Sequence, residues 1–142
     1  MSRLIFINLP VRDLDRSVAF YERMGAEKNP QFSDHTAACM VMSDVIHVML
    51  LTHDKFRQFT PREIADAGRV TEVLLAISAE SRDAVDGLVD TANGAGGRSD
   101  PAPVQDHGFM YSRSFEDPDG HIWEVAWMDL EAAMAAAPQT AA

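Results

Sequence analysis

The sequence has little positive charge and no long apolar run. Its 142 residues carry 12 Lys and Arg against 22 Asp and Glu, a formal charge of −10, and no basic cluster interrupts this excess. Such a chain repels phosphate backbones and anionic lipids, so we expect neither nucleic acid nor a membrane surface as a partner. The apolar runs are far shorter than the about 20 residues of a spanning helix. The first residues show no cleavage pattern, and we expect a cytoplasmic location.

Cysteine is also scarce. The single cysteine, Cys39, excludes an internal disulfide, and its neighbours Ala38 and Met40 predict a small buried residue. With 46% hydrophobic and 24% charged residues, the composition argues against disorder and against a coiled coil. The length suffices to bury a core, and we expect one folded domain over residues 1–142.

The first half of the chain, residues 4–52, predicts the element order β-α-β-β-β. An apolar run opens it as a buried strand, Asp13 suits a helix N-cap, and Gly25 suits the helix end. Two later apolar runs are separated by Ser43 and Asp44, as in a hairpin. The strands are predicted over residues 4–9, 29–32, 37–42 and 45–51.

The second half, residues 70–128, repeats this order. Ser81 begins a helix that ends in the glycine-rich residues 94–97. The sequence Glu-Asp-Pro-Asp-Gly over residues 116–120 has Pro and Gly where a type I or II turn favours them. The strands are predicted over residues 70–78, 102–104, 110–115 and 121–128.

One further segment links these repeats, and another follows them. In the linker, residues 53–69, Thr60 and Glu63 form a capping box with Pro61 between them, which predicts a short helix over Pro61–Asp66. Over residues 129–142, alanine-rich sequence predicts a helix, Leu130–Ala137, and then a frayed tail. The whole pattern indicates an α+β fold of paired β-α-β-β-β modules.

In such a fold, each helix covers one face of a twisted sheet, and the two free faces can curl into a shared cup. Strand alternation places Glu124 on the cup face of the last strand, with Trp123 and Trp127 on the other face. Glu72 begins a second cup-facing row with Leu74. An ionised carboxylate is costly in apolar surroundings, so the two glutamates can bind a divalent cation or share a proton.

A second candidate cluster precedes and enters the strand over residues 110–115. Tyr111 and Arg113 fall on the same strand face, and His107 lies just before them. A phenol, a guanidinium and an imidazole together can bind an anionic or carbonyl-bearing molecule. The alternative is that Arg113 pairs with Glu124 or Glu72 on a neighbouring strand.

Two segments, VRDLDRSVAFYERMGAE and FEDPDGHIWEVAW, resemble in this order the vicinal oxygen chelate superfamily. That superfamily includes glyoxalase I, extradiol dioxygenases, and bleomycin and fosfomycin resistance proteins. The resemblance spans roughly residues 4–128. It implies paired modules, a homodimer, a small-molecule ligand or substrate and, in the enzymes, a divalent metal that chelates two neighbouring substrate oxygens.

Carried over position by position, the metal ligands of the superfamily match this sequence incompletely. Glu124 matches the last-strand ligand, and Glu72 falls on a position that is commonly His. Phe6 falls on the ligand position of the opening strand and cannot bind a metal. Val48 falls on the fourth position, while the adjacent His47 is expected to point to the opposite face. The residues that could restore the ligand count are Asn8, His47 and His107.

Two hypotheses follow from this partial match. In the first, the protein is a metal-dependent lyase or dioxygenase in which Glu72 and Glu124 hold a divalent ion and one of them acts as a base. In the second, it binds or sequesters a small molecule, as resistance proteins do, without a metal. The predicted ligand-binding residues are Asn8, His107, Tyr111 and Arg113.

Overall fold

The computed structural model describes residues 2–136 and contains two β-sheets that follow one another along the chain. The first sheet comprises β1 (Ile5–Val11), β2 (Glu27–Asn29), β3 (Ala37–Val41) and β4 (Ile46–Thr52). The second comprises β5 (Leu75–Ser78), β6 (Arg98–Ser99), β7 (Gln105–Asp106), β8 (Met110–Glu116) and β9 (Ile122–Met128). The helices are α1 (Leu14–Arg23), α2 (His53–Arg57), α3 (Arg82–Gly94) and α4 (Leu130–Ala136).

The two sheets share one topology. Their strand orders are β1-β4-β3-β2 and β5-β9-β8-β6. The short strand β7 pairs with Tyr111 and Ser112 in the first half of β8. In each sheet the first strand runs parallel to the last strand, while the remaining pairs are antiparallel. The predicted α+β fold of paired β-α-β-β-β modules with open, cup-like sheets is therefore confirmed.

The helix starts follow the predicted caps. Asp13 Oδ1 accepts a hydrogen bond from the Arg16 backbone N–H at 3.1 Å, and Ser81 Oγ accepts one from the Ala84 N–H at 3.0 Å. Gly25, with φ at +98°, follows the end of α1 in the left-handed conformation that favours glycine. None of the helices in residues 2–136 is long and apolar enough to cross a membrane.

The prediction of a helix over Pro61–Asp66 is wrong, because the helix of the linker, α2, lies earlier in the chain. Thr60 Oγ1 accepts a hydrogen bond from the Arg62 N–H at 3.1 Å, which closes a local turn in place of a helix start. Asp66 Oδ1 accepts from the Gly68 N–H, also at 3.1 Å, and forms a further turn. The predicted end of the last helix at Ala137 and the frayed tail lie outside the described residues.

Three of the predicted strands also differ in position from the strands in the structure. The strand predicted from Val70 begins at Leu75, and residues 70–74 are irregular. The strand predicted over 29–32 ends at Asn29, because Pro30, which has no N–H to donate, begins a short 3₁₀ turn. The short strand predicted over 102–104 is replaced by two strands of two residues each on either side of that segment.

One hydrophobic core joins the two modules. Both long helices contribute to it, and Phe20 of α1 packs near Phe115 of β8 with ring centroids 6.1 Å apart. Cys39 is buried, as predicted. The largest fully buried side chains are Trp123, Tyr21, Phe20, Phe115, Met40 and Leu50.

The turn between β8 and β9 binds the second module to the first through two buried carboxylates. Asp119 accepts hydrogen bonds from the Arg12 backbone N–H at 2.9 Å and from Ser17 Oγ at 3.2 Å. Asp117 Oδ2 accepts from the Tyr21 hydroxyl at 2.7 Å. These bonds compensate the carboxylates for their loss of water, and they fix the turn against α1.

The Tyr21 hydroxyl also accepts a hydrogen bond from Trp123 Nε1 at 3.0 Å. Burial, together with the charge of Asp117, raises the pKa of Tyr21 well above its ordinary value, so the phenol stays protonated and donates. Burial also raises the pKa of Asp117. The hydrogen bonds therefore compensate only part of the cost of removing this carboxylate from water.

A charged network holds α3 against the second sheet. Arg113, whose side chain is only 12% exposed, pairs with Asp86 at 2.8 Å, Asp90 at 3.1 Å and Asp100 at 2.7 Å. The Tyr111 hydroxyl donates to Asp86 at 2.6 Å. The hydrogen bonds from Tyr111 and Arg113 lower the pKa of Asp86, and hydrogen bonding to Asp100 raises the pKa of Arg113.

We predict that Arg113→Gln destabilises the protein by about 1–2 kcal/mol near neutral pH, through the loss of charge-assisted hydrogen bonds. Because the pKa of Asp86 is lower in the folded state, this stabilisation is present above the ordinary carboxyl pKa of about 4 and is lost as the pH falls through the folded-state value. Urea unfolding of the parent and the variant at several pH values measures the difference.

The matched control is Arg57→Gln, because Arg57 pairs with Asp54 at 2.7 Å on an exposed helix surface. Such a pair contributes less than about 1 kcal/mol. A destabilisation by Arg113→Gln that is equal at acidic and neutral pH would contradict the electrostatic explanation.

Candidate functional site

Each sheet has one face on the helices and one open face, the cup face. In the first sheet, Phe6 of β1 lies opposite His47 of β4, and Asn8 lies opposite Met49. In the second sheet, Ala76 of β5 lies opposite Glu124 of β9. Val48 and Trp123, which alternate with these residues, are fully buried on the helix side. The cup faces therefore carry Phe6, Asn8 and His47 in one module and Glu124 in the other.

The predicted assignment of Val48 to the cup face and His47 to the opposite face is wrong. The prediction counted residues from the preceding turn, by analogy with Glu124. The paired residues Val41 and His47 enclose five residues, as Glu116 and Ile122 do, but the reference residue Asp44 lies three positions before His47, whereas Gly120 lies two positions before Ile122. A shift of one residue exchanges the two faces of a strand, so His47 occupies the cup-face position.

His47 lacks the partner that a metal-binding histidine needs. Its ring stacks on Phe6 with centroids 4.6 Å apart and an interplanar angle of 20°. Its Nδ1 is buried and has no hydrogen-bond partner among residues 2–136. A histidine that binds a metal through one nitrogen donates its other N–H to a partner. Metal binding through Nε2 would here leave a buried N–H unsatisfied, at a cost of about 1–3 kcal/mol.

Glu72 and Glu124 occupy different surroundings. Glu124 lies in the middle of β9, half-buried on the cup face. Glu72 precedes β5, is exposed, and borders a cavity to which Glu124 does not contribute. In the described part of the chain, no three His, Cys, Asp or Glu side chains come together as a metal site. With Phe6 at the first ligand position and His47 unsupported, the residues of one chain do not fit a complete metal site.

The cavity beside Glu72 is the candidate binding site, and we call it the linker cavity. It has a volume of about 410 Å³ and lies between β1, the linker and the start of β9. Its wall combines eleven apolar or glycine residues with seven polar ones. The lining residues are Asn8, Leu9, Pro10, Phe56, Thr60, Arg62, Glu63, Ile64, Ala65, Ala67, Val70, Thr71, Glu72, Val73, Leu75, Gly120, His121 and Ile122.

The linker contacts both modules beside this cavity. Asp66 accepts a hydrogen bond from Arg12 Nη2 at 3.1 Å. Gly68 packs directly on Gly120, where a Cβ atom would lie 2.8 Å from the Gly68 backbone. Gly120 also has φ at +94°, which favours glycine. The close approach of these two glycines sets the path of the linker over the strand ends.

His121 borders the linker cavity and was not predicted as a site residue. Its Nε2 lies 2.8 Å from the Pro10 carbonyl oxygen. A carbonyl only accepts hydrogen bonds, so Nε2 carries the proton. The available sequence signal was its position directly after the Asp-Pro-Asp-Gly turn, which the fold brings against β1.

Of the four predicted ligand-binding residues, one lines the linker cavity and three lie elsewhere. Asn8 lines the linker cavity. Tyr111 and Arg113 share a strand face, as predicted, but this face points to α3, and the expected pairing of Arg113 with Glu124 or Glu72 is wrong. Arg113 instead pairs with Asp86 and Asp90 of α3 and with Asp100. His107 is exposed and stacks with Phe109 at 6.3 Å between ring centroids.

Solved structures with the same fold include proteins from several bacteria. A hypothetical protein, SA1046, from S. aureus is 26% identical, with a TM-score of 0.73 over 89% of this chain and 95% of that chain. A glyoxalase/bleomycin resistance protein/dioxygenase family enzyme from Burkholderia phytofirmans PsJN is 20% identical, with a TM-score of 0.72 over 89% and 99%. The fosfomycin resistance protein FosX from Mesorhizobium loti is 18% identical, with a TM-score of 0.65 over 94% and 98%.

No curated protein matches the sequence. The family model described as the Glyoxalase/Bleomycin resistance protein/Dioxygenase superfamily matches residues 3–125. This match covers the first module, the linker and the second module as far as the middle of β9. The chain belongs to the glyoxalase/bleomycin resistance protein/dioxygenase superfamily.

Proposed function

We propose that the protein binds a small, largely apolar molecule in the linker cavity and that this binding needs no resident metal ion. The observation that carries the proposal is the cavity itself. Its volume of about 410 Å³ falls within the range of about 300–1,000 Å³ that is typical of small-molecule sites. Its wall also combines apolar side chains with polar ones that can orient a ligand, as such sites do.

The polar side chains of the wall can orient a ligand. Asn8 supplies both a donor and an acceptor, Arg62 supplies donors only, and Glu72 supplies acceptors only. The apolar side chains, among them Phe56 and Ile122, provide the contact area. Affinity would therefore come mainly from apolar burial, and orientation from the polar rim.

We expect indole, a neutral aromatic probe, to bind to the linker cavity. Ala65→Phe should weaken indole binding at least about tenfold, because the new ring fills part of the cavity. Excess EDTA should leave the affinity unchanged. Titration followed by two-dimensional NMR measures the dissociation constant and shows which residues contact the probe.

Ala84→Phe is the matched control, since Ala84 is exposed on α3 and does not line the cavity. This variant should bind indole as the parent does. Equal weakening by both variants, loss of indole binding with EDTA, or no indole binding at all would each refute the proposed site.

The second candidate function is that of a metal-dependent lyase or dioxygenase, with a small substrate that has vicinal oxygens. The observation that favours it is that His47 and Glu124 both lie on open cup faces. A homodimer that brings two such faces together would supply a carboxylate and an imidazole to one centre. The missing partner of His47 Nδ1 and the phenyl ring of Phe6 weigh against it.

We expect the dialysed protein not to bind one equivalent of Mn²⁺, Fe²⁺, Ni²⁺ or Zn²⁺ in isothermal titration calorimetry. We also expect no turnover of the methylglyoxal–glutathione hemithioacetal with any of these ions. Binding of one ion per chain that is lost in both His47→Ala and Glu124→Gln would replace the proposed function with the second candidate.

We also propose that the protein forms a homodimer through its open sheet edges. In the described part of the chain, β1 pairs only with β4, and β5 pairs only with β9. The exposed side chains at these edges include Phe6 at 51%, Val73 at 58% and Leu74 at 54%. Unpaired edges beside exposed apolar side chains favour association with another chain.

Sedimentation equilibrium should therefore give the mass of a dimer, and Phe6→Glu should shift the protein toward the monomer because it places a charge in the apolar edge. The matched control is Phe32→Glu, because Phe32 is 63% exposed in the 3₁₀ turn at the other side of the first sheet. A monomeric parent, or equal dissociation of the two variants, would refute the proposed interface.

A further inference from the structure

His121 presents one ring nitrogen that the protein leaves free. Nε2 donates its proton to the Pro10 carbonyl oxygen at 2.8 Å. In a neutral imidazole the other nitrogen, Nδ1, is then an unprotonated acceptor. Nδ1 has no hydrogen-bond partner among residues 2–136, and it is not enclosed by protein atoms as Nδ1 of His47 is. The free acceptor is therefore open to a molecule outside the protein.

The position of this ring is held by the backbone around it. The His121 N–H donates to Asp117 Oδ1 at 2.9 Å, and the His121 carbonyl accepts from the Asp117 N–H, also at 2.9 Å. Asp117 is in turn held by Tyr21. Since these groups fix both the main chain and the ring of His121, Nδ1 is oriented before any ligand arrives.

The linker cavity is the space beside His121 that can hold a ligand. The ring borders this cavity of about 410 Å³ and one neighbouring cavity of about 10 Å³. The smaller cavity can hold at most about one water molecule. Of these two cavities, only the linker cavity has room for a molecule larger than water.

We propose that Nδ1 of His121 accepts a hydrogen bond from a hydroxyl or N–H group of the ligand, so that the linker cavity selects molecules with a donor on an apolar body. This inference rests on the proposed function. A ligand without a donor removes water from Nδ1 and leaves the acceptor unsatisfied, which weakens binding relative to a ligand that has one. His121 is thus a specificity-determining residue of the cavity.

Phenol and anisole test this selection because they differ only in the methyl group that replaces the hydroxyl proton. Near pH 8, where imidazole is ordinarily neutral, phenol should bind at least about fivefold more tightly than anisole. In His121→Lys, the ammonium group can still donate to the Pro10 carbonyl, but the side chain has no acceptor in place of Nδ1. The preference for phenol over anisole should therefore disappear.

Long-range ¹H–¹⁵N spectra provide a second measurement on the parent protein, which does not depend on the folding of a variant. They should show the proton of His121 on Nε2, and phenol but not anisole should shift the Nδ1 resonance. A proton on Nδ1, or an equal preference for phenol in parent and variant, overturns the inference. Equal binding of the two probes to the parent overturns this inference alone, whereas absence of binding by both removes the proposed function as well.

Discussion

The arrangement of the molecule depends on the buried carboxylates of Asp117 and Asp119. Each is removed from water and satisfied by hydrogen bonds that cross from one module to the other. A buried carboxylate that loses such partners is strongly destabilising, so the two modules cannot separate or slide without a large cost. The contact among Tyr21, Asp117 and Trp123 lies at the centre of this interface, next to the shared hydrophobic core.

The same turn builds the candidate site. Asp117 orients the backbone of His121, and Gly120 allows the linker to pass directly over the turn. The linker then forms one wall of a cavity whose other walls are the ends of β1 and β9. A contact that joins two modules thereby also positions a histidine and encloses a volume large enough for a small molecule. The stability of the interface and the shape of the cavity have one structural origin.

The cup faces show that the side chains of this chain differ between corresponding positions of a shared architecture. Phe6, which falls on the opening-strand ligand position that the superfamily resemblance implies, stacks on His47. Glu124 keeps its position on β9, while Glu72 lies on the cavity wall. Fold membership therefore does not define the chemistry, which depends on the side chains at each position.

Several local features were predictable because they depend on a residue and its immediate neighbours. Asp13 and Ser81 cap helices because their side chains reach N–H groups three residues away. The alternation along β9 was likewise correct, with Trp123 buried and Glu124 on the other face. The capping box of Thr60 and Glu63 failed, because Thr60 and Asp66 each accept a hydrogen bond from an N–H two residues on and close turns in place of a helix.

The order of elements and the repeat of the modules could be read from hydrophobic periodicity and turn residues, and the superfamily from the resemblance of two sequence segments. The face of His47, the partners of Arg113 and the cavity beside His121 could not be read in this way. The face of His47 depends on strand register, where an offset of one residue exchanges the two faces. The partners of Arg113 come from α3 and from Asp100, and they are set by how the second module packs. The contact of Pro10 with His121, 111 positions apart, arises only when the two modules pack.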